Sequence, residues 1–242
     1  MNIPEVSVIP AVTRSQMIMV DRLMIEKYGI TLLQMMENAG RNLADLAAFF
    51  LGEDVKEEKI VVVAGGGNNG GGGMAAARHL SNRGANVRVF LTRKPSQLKA
   101  APLAQLRALE AMGVQIESEP VDIQAEFLID ALIGYGLAGA PKEWAVEWIR
   151  WMTAWPAPVL SLDVPSGLDV DASRPVGAYV RAAATLTLAL PKTGMAEPAA
   201  REWTGDVYVA DISVPAALYK EIGISVEHLF SRSTIVQVIY DH

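Results

Sequence analysis

Short strand patterns and helix patterns alternate along most of this chain. A β-branched run at 60–64, an alternating run at 86–91 and an apolar run at 127–133 are each followed by a stretch of helix-forming residues. Further strand patterns occupy 114–116, 159–163, 184–190 and 207–212. Strands joined through helices pair in parallel and are buried on both faces. The alternation therefore predicts an α/β fold with a mostly parallel sheet between two layers of helices.

The length and composition predict one domain. The chain has 242 residues, 51% hydrophobic and 20% charged, which is enough to bury a large core without disulfides or a structural metal. No linker, repeat or shift in composition marks a boundary. We expect a single domain over 1–242, with N-terminal helices at about 12–50, an α/β core at about 58–215 and a C-terminal extension at about 216–242.

What the sequence lacks excludes several classes of protein. There is no cysteine and there are three histidines, so thiolate catalysis, disulfides and cysteine-ligated zinc are excluded. The net charge of −6 disfavours a nucleic-acid partner. The first residues do not have the basic and apolar regions of a signal peptide, and no apolar run approaches 18 residues. We expect a cytoplasmic protein with no membrane partner.

The segment GGGNNGGGG at 65–73 holds seven of the 20 glycines and lies between a predicted strand and a predicted helix. Glycines let backbone N–H groups approach a ligand closely, so the segment predicts a cradle for a phosphate or another anion. It also matches the dinucleotide pattern G-x-G-x-x-G at Gly65, Gly67 and Gly70. The alternative is a tight turn without a ligand.

Two carboxylates stand where strands end. Asp130 lies in a hydrophobic strand before a glycine-containing turn at 134–139, and Asp163 ends another strand before the turn 165–167. Carboxylates aimed at one crevice favour general acid–base chemistry or cation binding, although each could cap its own turn instead. Lys192 follows a later strand, where it could contact a phosphate or carbonyl at the same rim or be a solvated surface charge.

Four tryptophans form a stripe on one face of the predicted helix at 142–153 and just beyond it. They are Trp144, Trp148, Trp151 and Trp155, spaced i, i+4, i+7 and i+11. Such a stripe favours a core or a subunit interface over a cofactor site, so we expect a homodimer.

Five spaced motifs add a more specific signal. They are GITLLQMMENAGR, AGGGNNGGGGMAAARHL, DALIGYGL, LDVPSGLDVD, and LPKTG together with VADISVP. In this order they resemble the motifs of the YjeF N-terminal domain family, the NAD(P)HX epimerases, including its G-x-G-N-N-G-G-D-G, D-A-L-hydrophobic-G-x-G-L and D-x-P-S-G patterns. The resemblance covers most of 12–215.

The resemblance implies a Rossmann-like three-layer α/β/α sandwich that binds hydrated nicotinamide dinucleotide. The implied reaction interconverts the R and S forms of NADHX or NADPHX at C6, a step of nucleotide repair. A separate NAD(P)HX dehydratase would then act on the S form. The implied cofactor is a potassium ion.

The resemblance also implies roles for individual residues. Potassium would be held by Asn69, Asp130 and Ser166, and Asp163 would face the substrate. We hypothesise that Asp163 is the acid–base group. The implied substrate contacts, with Lys192 added from its place at the rim, are Asn68, Asn69, Gly70, Gly71, Gly72, Gly134, Tyr135, Gly136, Leu137, Ala138, Gly139, Ala140, Asp163 and Lys192.

One position departs from the family pattern, because Gly72 stands where the family has an aspartate. The departure keeps open a second hypothesis, a non-catalytic ligand-binding or scaffold protein on the same fold. A third is an NADP-dependent oxidoreductase, suggested by the G-x-G-x-x-G match and by Arg93 after the second strand of the core. Against the third, the chain has no Tyr-x-x-x-Lys pair.

Overall fold

A computed structural model of the chain describes residues 1–121, 123–172, 174–226 and 228–239, so the last three residues of the expected C-terminal extension lie outside the described residues. The strands are β1 (Glu5–Val6), β2 (Lys59–Ala64), β3 (Asn86–Leu91), β4 (Gln115–Glu117), β5 (Phe127–Ala131), β6 (Val159–Leu162), β7 (Ala184–Leu188), β8 (Asp206–Ala210) and β9 (Ile235–Val238). The helices are α1 (Arg14–Glu26), α2 (Leu32–Phe50), α3 (Asn68–Asn82), α4 (Ala100–Ala111), α5 (Glu143–Ala154), α6 (Arg201–Thr204) and α7 (Ala216–Glu221).

The described strands form one sheet in the order β1-β9-β8-β7-β6-β5-β2-β3-β4. Every pair is parallel except β8 with β9. From β2 the chain first builds outward through β3 and β4, and then returns to the other side of β2 with β5. The order of winding therefore reverses between β2 and β5, where the carboxyl ends of parallel strands leave a crevice.

Alternate residues of the strands pack on opposite layers. Val62 and Ala64 belong to the core shared with α2, α3 and α4, whereas Val61 and Val63 belong to the core shared with α5. This two-sided burial is the reason that β2 is a continuous run of apolar residues. The predicted α/β sandwich with a mostly parallel sheet is confirmed.

Helix α1 covers the carboxyl end of β7 and β8. Its N-terminus is fixed by a capping box, in which Thr13 and Gln16 each accept a hydrogen bond from the other's backbone N–H. Its buried face, which includes Met17, packs in one cluster with Leu190 and Ile212, the residues that follow the two strands. The helix thus forms a roof beside the crevice.

The glycine segment is not the extended loop that its composition predicts. The expected helix at 74–80 instead begins at Asn68, so that Gly70–73 lie in its first two turns. A Cβ on Gly70 would collide with the carbonyl of Gly65, and one on Gly73 would collide with Ala131. The close packing of α3 against the sheet therefore requires glycine and outweighs its low helix propensity.

Two strands were not predicted, because they are short and lie at or near a sheet edge. β1 has two residues, and β9 supplies the one antiparallel pairing of the described sheet. The C-terminal extension therefore contributes α7 and β9 to the fold.

The tryptophan stripe packs mainly inward. Trp148 is buried, the other three are half-buried, and the rings of Trp148 and Trp151 lie 5.9 Å and 5.2 Å from that of Phe90. The expected homodimer stays a prediction. Within the described residues, every helix is too short or too polar to span a lipid bilayer.

Helices α2 and α3 touch at Gly40, where an added Cβ would lie 2.8 Å from the backbone nitrogen of Ala76 and even closer to Ala75. Gly40→Val is expected to lower the free energy of unfolding by about 2 kcal/mol or more, because rigid backbone must move apart. Urea denaturation measures the change. Arg41→Val, at the exposed next position, is the control and should lose only about 0.5 kcal/mol. Equal losses would show that this contact is not close.

Candidate active site

A cavity of about 410 Å³ lies at the carboxyl ends of β2, β5 and β6, beneath α1. This is the crevice expected at the reversal of strand order. Seven of the residues predicted for the site line it, namely Asn68, Asn69, Gly72, Gly134, Tyr135, Gly136 and Asp163. Segments far apart in the sequence therefore meet at one place.

One wall of the cavity is apolar. It is formed by side chains of α1 and α2 together with the end of β6, including Met17, Ile18, Met35, Met36 and Leu162. The opposite wall carries the polar groups of the α3 N-terminus and of the turn after β5. A ligand with a flat apolar part and several polar groups fits such a surface.

Asp163 is held in an unusual backbone conformation. Its φ is +69°, and the N–H of Val164 donates to the carbonyl of Leu162 at 2.9 Å, so the aspartate is the centre of a three-residue turn. A three-residue turn with positive φ at its centre is rare and strained. The turn directs the carboxylate to the cavity, where its Oδ2 accepts a hydrogen bond of 2.8 Å from the N–H of Tyr135.

Lys192 lies behind Asp163 and has no exposed surface, so it is not the solvated charge that the sequence left open. Its ammonium donates to Asp163 Oδ1, to Thr187 Oγ1 at 3.0 Å and to the carbonyl of Leu188 at 2.9 Å. All three protons are thus used within the protein. Backbone hydrogen bonds between Val12 and residues 191 and 193 fix the lysine's segment. Lys192 can therefore influence a ligand through its contact with Asp163.

The predicted metal residues surround the start of the turn after β5. Asp130 is fully buried and accepts four hydrogen bonds, from Leu132 N–H at 3.2 Å, Ser161 Oγ at 2.8 Å, and both the N–H and the hydroxyl of Ser166 at 2.8 Å and 2.5 Å. Burial raises the pKa of Asp130, and these hydrogen bonds oppose the rise. Ser166 Oγ also accepts from the N–H of Ile133 at 2.9 Å.

Asn69 stands at the N-terminus of α3, on the cavity side of the same turn. A Cβ on Gly134 would lie 3.3 Å from Asn69 Oδ1 and 2.7 Å from Asp163 Oδ2, so only glycine allows this close approach. The Nδ2 atom of Asn69 is buried and has no hydrogen-bond partner among the described residues. An amide left in this way is suited to meet a ligand.

The turn from 134 to 140 is tied to α1. Arg14 Nε donates to the carbonyl of Tyr135 at 3.3 Å, and the same guanidinium pairs with Asp169. Asp169 Oδ2 in turn accepts from the N–H of Gly139 at 2.7 Å. The predicted site residues that do not line the cavity are Gly70, Gly71, Asp130, Leu137, Ala138, Gly139, Ala140, Ser166 and Lys192.

Sequence reasoning missed three charged groups that line the cavity, namely Arg14, Asp21 and Lys99. The phenolic hydroxyl of Tyr135 donates to Asp21 Oδ2 at 2.5 Å. Asp21 lies among Met17, Val20 and Met24, the buried positions of α1. A carboxylate set beside an apolar helical stripe was the signal that could have revealed it.

The structure also locates Gly72 and Arg93, on which the alternative hypotheses depend, and His79 of α3. Gly72 lines the cavity, and a Cβ there would meet Leu162 Cδ2 at 2.9 Å, so an aspartate would require that leucine to move. Arg93 stacks over the ring of Trp144, with 3.7 Å from Cζ to the ring centroid, and does not line the cavity. His79 bonds Glu37 at 2.8 Å, which links α3 to α2.

The fold and the cavity define a Rossmann-like α/β protein with a small-molecule site at its topological switch point. The chain belongs to the family described as YjeF-related protein N-terminus, which matches residues 32–194.

Relatives and solved structures agree with this assignment. The chain is 43% identical over 208 residues to the NAD(P)H-hydrate epimerase of Dehalogenimonas lykanthroporepellens, covering 85% of this chain and 82% of that protein. It is 34% identical over 86% of its length to the bifunctional NAD(P)H-hydrate repair enzyme Nnr of Moorella thermoacetica, of which it spans 41%. The crystal structure of yeast ynu0, YNL200c, is similar with a TM-score of 0.83 and 25% identity, covering 95% of this chain and all of that one.

The buried pair of Asp163 and Lys192 predicts strong energetic coupling. Asp163→Asn and Lys192→Met are each expected to lower the free energy of unfolding by about 3 kcal/mol, because each leaves the partner charge buried without its counterion. The double variant should lose clearly less than the sum of the two. Denaturant titration of the four proteins measures the coupling. Additive losses would mean that the two groups do not interact.

Proposed function

We propose that this protein interconverts the R and S forms of hydrated NADH and NADPH, called NADHX and NADPHX, at C6 of the nicotinamide ring. The observation that carries the proposal is the 43% identity to an NAD(P)H-hydrate epimerase over most of both chains. The cavity supports it, because residues from the predicted motifs line one site large enough for the reactive part of a dinucleotide. The reported relatives favour the epimerase over the scaffold and oxidoreductase hypotheses.

The two walls of the cavity suggest how the substrate lies. The N-terminus of α3, with the proposed contacts at 68–72, offers free backbone N–H groups that suit the pyrophosphate. The turn 134–140 and Lys192 complete the proposed set of contacts, the lysine acting through Asp163. The apolar wall formed by residues such as Met17, Met36 and Leu162 suits the nicotinamide ring.

The chemistry of C6 explains the use of a carboxylate. C6 carries a hydroxyl beside the ring nitrogen, so loss of the hydroxyl leaves a cation that the nitrogen stabilises. Asp163 pairs with the ammonium of Lys192 and accepts a hydrogen bond from the N–H of Tyr135. We assign it to stabilise this cation and to accept a proton from the water that adds to C6.

Potassium is the proposed cofactor, and the residues present fit it. Asn69, Asp130 and Ser166 all offer oxygen, the donor that a hard cation prefers, and all adjoin residues 132–134. The carboxylate of Asp130 is fully buried and forms no ion pair among the described residues, so a bound cation could offset its charge. When bound, the ion would supply positive charge that offsets Asp130 and fixes the turn beside Asp163.

The wider setting follows from the proposed reaction. Epimerisation leaves the substrate hydrated, so we expect an NAD(P)HX dehydratase to complete the repair. The relatives named bifunctional repair enzymes are longer than this chain, which spans 41% of the Moorella protein. A homodimer and a cytoplasmic location belong to the same proposal.

The primary test is epimerisation of purified R-NADHX, followed by chromatography against the spontaneous rate. The wild-type protein should exceed the spontaneous rate, and Asp163→Asn should lose about 100-fold or more of the catalysed rate. Asparagine matches aspartate in size and shape, so the turn is expected to survive. Circular dichroism checks the fold. A wild-type rate equal to background would contradict the proposed function, and an active variant would contradict the role of Asp163.

The potassium proposal has a test that does not depend on activity. Thermal unfolding in KCl and in NaCl at equal ionic strength should show extra stability in KCl, about 1.4 kcal/mol at ten times the Kd. Ser166→Ala should abolish the difference between the salts. Ser233→Ala, far along the chain in the segment before β9, should keep it. Equal stability of the wild type in both salts would contradict a potassium site.

A further inference from the structure

The cavity contains a second carboxyl group in addition to Asp163. Asp21 comes from α1 in the roof, whereas Asp163 comes from the end of β6 in the floor. Tyr135 connects them, because its N–H donates to Asp163 Oδ2 at 2.8 Å and its hydroxyl donates to Asp21 Oδ2 at 2.5 Å. The two carboxyl groups are therefore separated by the length of one tyrosine and reach the cavity from different sides.

The two groups differ in their hydrogen bonds. Asp163 accepts from the ammonium of Lys192 on one oxygen and from a backbone N–H on the other, so both its oxygens are engaged by donors. Asp21 accepts only the hydrogen bond from Tyr135 among the side-chain and backbone bonds found in the described residues. Its other oxygen is free to carry a proton. Asp163 is thus paired with a cation, whereas Asp21 has an oxygen that can carry a proton.

The surroundings of Asp21 raise its pKa on balance. Burial raises the pKa of Asp21, the hydrogen bond from Tyr135 lowers it, Asp163 raises it, and Lys192 lowers it, with a net rise. The other charged groups that line the cavity are Arg14 on the same helix and Lys99 before α4. Two carboxyl groups in such different surroundings are typical of acid and base partners.

We propose that Asp21 is the catalytic acid of the epimerisation, which donates a proton to the hydroxyl that leaves C6, while Asp163 acts as the base. This inference rests on the proposed function. The C6–O bond breaks, its electron pair goes to the oxygen, and the proton of Asp21 completes a departing water molecule. The lone pair of the ring nitrogen forms a double bond to C6. A second water adds to the other face of C6, the electron pair of the double bond returns to the ring nitrogen, and the water gives a proton to Asp163. Asp163 then releases this proton to solvent, and solvent returns one to Asp21.

Epimerisation needs chemistry on both faces of C6, since the hydroxyl leaves from one and water enters from the other. A single carboxylate with both oxygens engaged serves only one of them. Asp21 supplies the second group without an aspartate at position 72, where the family pattern has one and this chain has glycine. Tyr135 is then a positioning residue for both carboxyl groups.

The test measures kcat and KM for R-NADHX across pH with four proteins. Asp21→Asn should lower kcat by about 100-fold or more, because it removes the proton. Glu26→Gln, an exposed position on the same helix, is the control and should retain wild-type kcat. The wild-type rate should fall as pH rises through the pKa of Asp21. Tyr135→Phe removes a hydrogen bond that lowers that pKa, so the fall should shift to higher pH.

A structural role for Asp21 predicts a different pattern. Loss of folding would lower the melting temperature and weaken binding of NADP⁺, measured by titration calorimetry, whereas loss of the acid alone leaves both near the wild-type values. An Asp21→Asn protein with wild-type kcat, or a Tyr135→Phe profile without the shift, overturns the assignment while the epimerase function stands. A wild-type protein without activity overturns the function and this assignment together.

Discussion

The site depends on one buried ion pair, between Lys192 and Asp163. A lysine without exposed surface is strongly unfavourable unless its charge and protons are satisfied, and here every proton has an acceptor. The acceptors come from the ends of β6 and β7, so the pair joins two neighbouring strands at the point where both leave the sheet. The position of the carboxylate is therefore determined by the core rather than by a flexible loop.

The N-terminal segment completes the cavity that the sheet begins. Residues 12 and 13 lead into α1 beside the segment of Lys192, and Arg14 then reaches the turn after β5. The matched family region begins at residue 32, so α1 precedes it. Yet α1 supplies part of the apolar wall and two of the ionisable groups that line the cavity, Arg14 and Asp21. A fragment that begins at α2 would lose the roof, together with the short edge strand β1.

Sequence patterns were informative where local rules decide the structure. The alternation of strands and helices predicts the sandwich because burial on both faces imposes it, and Asp130 and Asp163 were identified because strand ends meet at one edge. The positive φ of Asp163 could not be predicted, and neither could its contact with Lys192, because that contact joins residues 29 positions apart. Asp21 was missed because it lies on a helix, whereas the patterns that indicated the site lie at strand ends. The glycine helix was missed because close packing, not propensity, determines it.

The two edges of the sheet have a consequence for how copies of the protein can meet. The outermost strands are β1, with two residues, and β4, with three. Strands this short present few unpaired backbone groups, which hinders the edge-to-edge addition that leads to aggregation. A second copy would find few backbone groups through which to extend this sheet across the contact. Association between copies would instead use side chains of helices and loops, and its strength would then depend on surface composition.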